Sequence, residues 1–184
     1  MTGKHQRRIT QTEDLIEEAL LILLKNRSLD TITVRELCDK AGINRTTFYN
    51  HYSSPAGVLE KMAADYIDDI GRTLGKEREE VRANVAVVFS YMETHIALTR
   101  ILLSSPFNDS FLERLFALPK VADLLSRSIR HVTDENEKRA VISFALSGSY
   151  KLIKDWITSD ERISAADEAV LVLSLARRVC CSTE

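Results

Sequence analysis

The chain has 184 residues, of which 45% are hydrophobic and 28% charged. Its 25 Lys plus Arg stand against 27 Asp plus Glu, a formal net charge of −2, which excludes a disordered polyelectrolyte and argues against a blanket electrostatic binder of nucleic acid or membrane. Six Gly and three Pro leave little material for sandwiches, barrels or long loops, so the expected class is all-α, with about nine helices.

The first segment, Met1 to Gln11, holds Lys4, Arg7 and Arg8 ahead of the first acid, Glu13. It reads as an arm able to touch phosphate or the minor groove. It lacks the apolar run and small-residue site of a secretory signal, and no apolar run approaches the roughly 20 residues of a membrane span. A cytoplasmic protein without membrane partners is therefore expected. Thr10 with Glu13 has the spacing of a capping box, and Leu15, Ile16, Ala19, Leu20, Leu23 and Leu24 follow on one stripe, predicting a first helix from about Gln11 to Lys25.

Thr33 with Glu36 repeats the capping spacing ahead of Val34, Leu37, Cys38 and Ala41 and predicts a second helix of about two turns. Gly42 can leave that helix in the left-handed conformation, and Asn44 can cap a third short helix from about Arg45 to Tyr52. A capped short helix, a Gly turn and a second capped short helix form the outline of a helix-turn-helix. At about 100° per residue, Phe48 and Tyr52 fall on one side, and the opposite side is centred on Asn50 with Thr46 and Thr47 beside it. Tyr49 and His51 flank that face. Asn can bond adenine bidentately and a Thr methyl can touch a thymine methyl, whereas Tyr, His, and the hydroxyl and N–H of Thr33 suit phosphate. Arg45 serves either base or backbone.

Ser54 and Pro55 open a fourth helix that reaches the neighbourhood of Gly75 through Leu59, Met62, Ala63, Tyr66 and Ile70. The composition changes over Gly71 to Glu80 and sets the expected boundary between domains 1–74 and 75–184. A fifth helix carries Val85, Val88, Phe89, Met92, Ile96 and Ile101 as far as the Ser104-Ser105-Pro106 stop. Two shorter ones follow, near Ser110 to Ala117 and Val121 to His131, separated by Pro119. Asp134 with Glu137 opens a long helix to about Thr158, and Ser164 with Asp167 opens the last, to about Cys180.

The stretch from Ile32 to Leu59 resembles the DNA-binding domain of the TetR family of transcriptional regulators, with the Ala41-Gly42-Ile43 turn, the Phe48-Tyr49-x-His51-Tyr52 core and Leu59 in register. The resemblance covers about the first 70 residues and is weak beyond them. It implies an N-terminal three-helix helix-turn-helix domain joined to a larger helical-bundle domain for regulation and dimerisation. It also implies a repressor that binds a palindromic operator in double-stranded DNA as a homodimer and is released by a small-molecule effector. The DNA-binding set is Thr33, Asn44, Arg45, Thr46, Thr47, Tyr49, Asn50 and His51, of which the positions matching Thr33, Tyr49 and His51 hold phosphate. One departure is Pro55, where the family usually has a phosphate-contacting Lys.

The last two helices are apolar on more than one side and suit a four-helix interface between two subunits. Tyr91, Met92, His95, Phe116 and Phe144 are candidates to line an effector cavity. Cys38 fits core packing, and Cys38, Cys180 and Cys181 have neither metal spacing nor a disulfide pattern. No phosphate loop, nucleophile elbow or metal-ligand spacing points to an enzyme or a cofactor. The alternative is a helical adaptor of the same fold that answers to a protein partner and binds DNA weakly or not at all.

Overall fold

A computed structural model describes the backbone of residues 2–76, 81–104, 108–129 and 132–181, with side chains except at 2–10, 75–76, 81–83, 108–110, 122, 124–126, 128 and 181. Every regular element among the described residues is helical. The chain divides into two compact units, Met1–Tyr66 and Ile67–Glu184. The division falls inside the fourth helix, whose described residues run on to Lys76.

The first unit contains α1 (Thr2–Leu24), a 3-10 turn at Leu29–Thr31, α2 (Val34–Ala41), α3 (Arg45–Tyr49) and the start of α4 (Pro55–Lys76). Helix α1 begins well before the expected Gln11, so the backbone of Thr10 lies inside it. The side chains of Lys4, Arg7 and Arg8 lie outside the described residues. Ile16, Ala19 and Leu20 of α1 are buried, as are Leu37, Cys38, Phe48, Tyr52, Val58, Leu59 and Met62 of the same unit. Cys38 is a core residue, as its apolar position implies.

Local chemistry sets the ends of these short helices. Thr33 Oγ1 accepts from the Glu36 N–H while Glu36 accepts from the Thr33 N–H, a reciprocal capping box. Gly42 leaves α2 at φ 70°, ψ 29°, a conformation that costs any residue with a Cβ. Asn44 Oδ1 accepts from the Thr47 N–H at 2.7 Å and opens α3, and Ser54 Oγ accepts from the Gly57 N–H at 3.1 Å at the head of α4.

The second unit holds the rest of α4 with α5 (Val81–Thr94), α6 (Ile96–Ser104), α7 (Asn108–Phe116), α8 (Pro119–Ser128), α9 (Glu135–Thr158) and α10 (Ala165–Cys181). The single fifth helix expected from the sequence is two helices, bent by 95° at His95. Thr99 stabilises the break: its buried hydroxyl donates to the carbonyls of Met92 and His95, both at 3.0 Å. Pro119 is the first residue of α8 and not merely a separator. The expected stop at Ser105-Pro106 lies outside the described residues, and the helix expected over Val121–His131 ends at Ser128 with Ile129 as its C-cap. Asp134 caps α9 by accepting from the N–H groups of Asn136 and Glu137, and Ser164 caps α10 through the Asp167 N–H. Helix α10 packs on α5 and α9, with Trp156, Phe89, Ala169 and Val172 buried. Trp156 Nε1 donates to the Ile163 carbonyl at 2.9 Å. Among the described residues, no single helix is long and apolar enough to cross a membrane.

Candidate nucleic-acid interface

Helix α3 is only five residues long, so its seat in the first unit depends on its neighbours. Phe48 is fully buried and Tyr52 is 8% exposed, which fixes the inner side as the helical spacing requires. On the outer side Arg45, Thr46, Tyr49 and Asn50 are exposed and Thr47 is half-buried. Tyr49 is 58% exposed, its ring edge-on to Phe48 at 5.6 Å. Contact with the buried Phe48 thus holds one edge of an otherwise exposed Tyr49 side chain.

Asn50 is the C-cap and not a mid-helix residue. Its N–H is shared between the carbonyls of Thr46 and Thr47, and the N–H of His51 bonds Phe48 three residues back at 2.9 Å. This tightened 3-10 ending brings residues three apart into line. His51 follows this turn and is half-buried. There its Nδ1 lies 3.3 Å from Glu13 Oε1 of α1. One turn along α1, Glu17 accepts from the Tyr52 hydroxyl at 2.9 Å. Burial pushes the Glu17 carboxyl above its usual range, opposed by the Tyr52 hydrogen bond. Burial also pushes the Tyr52 hydroxyl up, with the Glu17 hydrogen bond acting in the same direction.

Thr33 is exposed, but its N–H and its hydroxyl both donate to Glu36 Oε2, at 3.0 and 2.7 Å. Glu36 Oε1 in turn accepts from Arg27 at 2.7 Å. The Arg27 hydrogen bond, followed by the bonds from Thr33, holds the Glu36 carboxyl down at about 2. A carboxylate thus occupies the place at the head of α2 where the sequence assigns a phosphate. Arg27 is a residue that the motif did not single out; its link to Glu36 crosses the 3-10 turn, which helical spacing does not register. Pro55 is buried at the start of α4, and Lys61 pairs with Asp65 on the same helix.

Of the residues named for an effector cavity, Tyr91 and His95 lie ring to ring at 4.1 Å. Met92 is buried in the core and Phe144 stands 69% exposed on α9. Tyr91 donates to Asp69 Oδ2 at 2.9 Å, and His95 is exposed at the α5–α6 break. In the second unit, Gly71, Leu74, Leu118, Pro119 and Lys120 line a pocket of about 180 Å³. Gly71 admits the α7–α8 turn there, since a Cβ on it would meet Leu118 at 3.2 Å. The same unit leaves Phe144 of α9 and Val170, Leu171 and Leu175 of α10 exposed, at 69%, 51%, 41% and 36%. Among the described residues, no group of His, Cys, Asp and Glu could hold a metal ion.

An all-α chain with a helix-turn-helix unit followed by a larger helical unit has the fold of TetR-family transcriptional regulators. A TetR transcriptional regulator from Streptococcus agalactiae 2603V matches it with a TM-score of 0.74 at 20% identity, over 96% of this chain and 99% of that one. Thermus thermophilus FadR, a TetR-family repressor solved in complex with lauroyl-CoA, matches with a TM-score of 0.53 at 19% identity, over 94% and 96% of the two chains. In sequence the chain is similar to YxbF, an uncharacterized HTH-type transcriptional regulator of Bacillus subtilis (strain 168), at 24% identity over 170 residues. It spans 42% of the length of that relative, which covers 86% of this chain. No family model matches the chain.

Proposed function

We propose that the protein is a TetR-like DNA-binding transcriptional regulator, acting as a homodimer on a palindromic operator. The observation that carries this reading is the division of one short segment into a buried side, Phe48 and Tyr52, and an open side, Arg45, Thr46, Tyr49 and Asn50. That arrangement seats a reading element against a core and leaves its hydrogen-bonding groups facing outward. Asn50 and Thr46 read bases, Tyr49 and Thr47 hold the backbone, and Arg45 serves either. Asn44 supports the element through its cap. Thr33 takes a phosphate only when Glu36 yields its place.

The dimer forms through α9 and α10, whose exposed Phe144, Val170, Leu171 and Leu175 supply apolar contact area. The finer reading is a cytoplasmic repressor released by a small-molecule effector in the second unit, as the lauroyl-CoA bound to the Thermus protein suggests by analogy. The pocket at Leu74 and Leu118, about 180 Å³, is smaller than the roughly 300–1,000 Å³ of most ligand sites, so an effector must widen it or be small. A second reading, an adaptor answering to a protein partner, is motivated by the internal commitments of Thr33 and Lys61.

Binding to genomic DNA fragments at several salt concentrations distinguishes the two. The regulator reading predicts strong preference for particular fragments and a steep loss of affinity as salt rises. Weak binding spread evenly over all fragments contradicts it and favours the adaptor.

A further inference from the structure

We infer that Glu17 of α1, with Glu13 one turn before it, is a positioning residue for the reading element, acting through the Tyr52 hydroxyl and the His51 ring. This rests on the DNA-reading function proposed above and deepens it, since neither carboxylate belongs to the DNA-binding set.

A helix of five residues cannot hold its own place, because isolated helices shorter than about 12 residues are marginal in water. Its seat is made by side chains. Phe48 is fully buried, but apolar contact is non-directional and leaves the segment some freedom to turn or slide on the core. Hydrogen bonds are directional. The Tyr52 hydroxyl donates to Glu17 Oε1 at 2.9 Å, and the Tyr52 ring is buried beside Phe48, with centroids 6.1 Å apart. Nδ1 of the neighbouring His51 lies 3.3 Å from Glu13 Oε1. A carboxylate only accepts, so Nδ1 is the donor.

The spacing of these partners matters. Residues 13 and 17 are i and i+4 on one stripe of α1, about 6 Å apart along its axis. Two consecutive residues of the reading segment are therefore tied to α1 at two heights. One tie sets a distance, and two set a direction.

What the ties hold is Asn50, which precedes His51 in the chain and is exposed. Its N–H is bonded to the carbonyls of Thr46 and Thr47, so a shift of the segment's end is passed to it through the backbone. The opposite end is fixed separately, by the Asn44 cap. A bidentate contact to a base edge depends on such placement. Loss of the ties is therefore felt at the base met by Asn50 and not near Thr46, which stands beside the cap. The carboxylate and the carboxyl of Glu17 each offer Tyr52 an acceptor oxygen, so the tie holds in either state.

The test uses the full chain and a duplex selected by it from a random-sequence pool. Fluorescence anisotropy gives affinities for duplexes substituted at each position, at a temperature where every variant is folded. Tyr52→Phe removes the hydroxyl and keeps the ring. It is expected to lower discrimination roughly three- to tenfold per half-site at the base position that Asn50→Ala relaxes, with the other positions and the affinity for unselected DNA unchanged. Glu17→Leu should reproduce that loss, and its combination with Tyr52→Phe should lose no more than either alone. Glu17→Gln keeps an acceptor oxygen and should discriminate like the unaltered chain. Full discrimination in Tyr52→Phe, or equal weakening at every position, overturns the inference and leaves these residues a packing role alone. A loss in Glu17→Gln as large as in Glu17→Leu overturns it too. Failure to select any duplex overturns the function and this inference together. If Tyr52→Phe does not fold, the Tyr52 hydroxyl proton in NMR of the unaltered complex decides: protection from exchange supports the tie, and rapid exchange with water overturns it.

Discussion

The side chains around α3 divide between those that hold the element and those that are open. Asn50 is exposed at the C-cap, with no buried role to lose. Asn50→Ala should therefore lower discrimination at one base position per half-site by roughly 1–3 kcal/mol, read from affinities for duplexes substituted at each position. Equal weakening on all sequences would make Asn50 a backbone contact. At Glu36 the depressed carboxyl value makes a second statement. Its charged form is favoured in the folded unit, so its contribution to stability is present above the unfolded carboxylate range and is lost as pH falls through about 2. Arg27→Ala should move the Glu36 titration, followed by carbon NMR, up toward the ordinary carboxylate range; an unmoved titration contradicts the assigned cause. The Thr33–Glu36 box was legible from spacing alone. That the same carboxylate takes the Thr33 hydroxyl was not, because the Arg27 that holds it arrives from a different segment.

At the level of elements, the sequence was most readable where a cap or a special backbone conformation announces itself. Gly42, Asp134 and Ser164 each stand where the spacing put them. Gly42→Ala isolates the backbone term, because a Cβ there meets nothing within 4 Å. It should cost about 1–2 kcal/mol in urea unfolding, and an unchanged midpoint would contradict the left-handed assignment. The misreadings arose where periodicity continues through a change of direction. Apolar spacing runs across His95, and only the tertiary contacts of Thr99 reveal the bend. At the other end, the Thr10–Glu13 pair has the capping spacing, yet α1 extends through it from Thr2; spacing permits a cap but does not compel the chain to leave the helix.

For the whole molecule, the net charge of −2 conceals a modest asymmetry. Residues 1–52 carry a net +1 and residues 53–184 a net −3. So small an excess of positive charge supplies little sequence-independent affinity, and the proposed function therefore needs a matched site and two reading heads for tight binding. The fold class was legible because helix starts and stops recur throughout a chain poor in Gly and Pro. The face left open for a partner was legible only in part, since α9 is apolar on several sides: Trp156 is buried while Phe144 is exposed. A charge on the open face should break the proposed dimer. Leu171→Glu is expected to sediment as a monomer at concentrations where the unaltered chain is dimeric, and an intact dimer would place the interface elsewhere.

The central claim, that the outer face of α3 reads DNA sequence, is tested most directly by sequencing duplexes that the purified full chain retains from a random pool. The account predicts enrichment of one palindromic sequence, with Asn50→Ala relaxing the same base position in both halves. A pool that emerges without a shared sequence would contradict it.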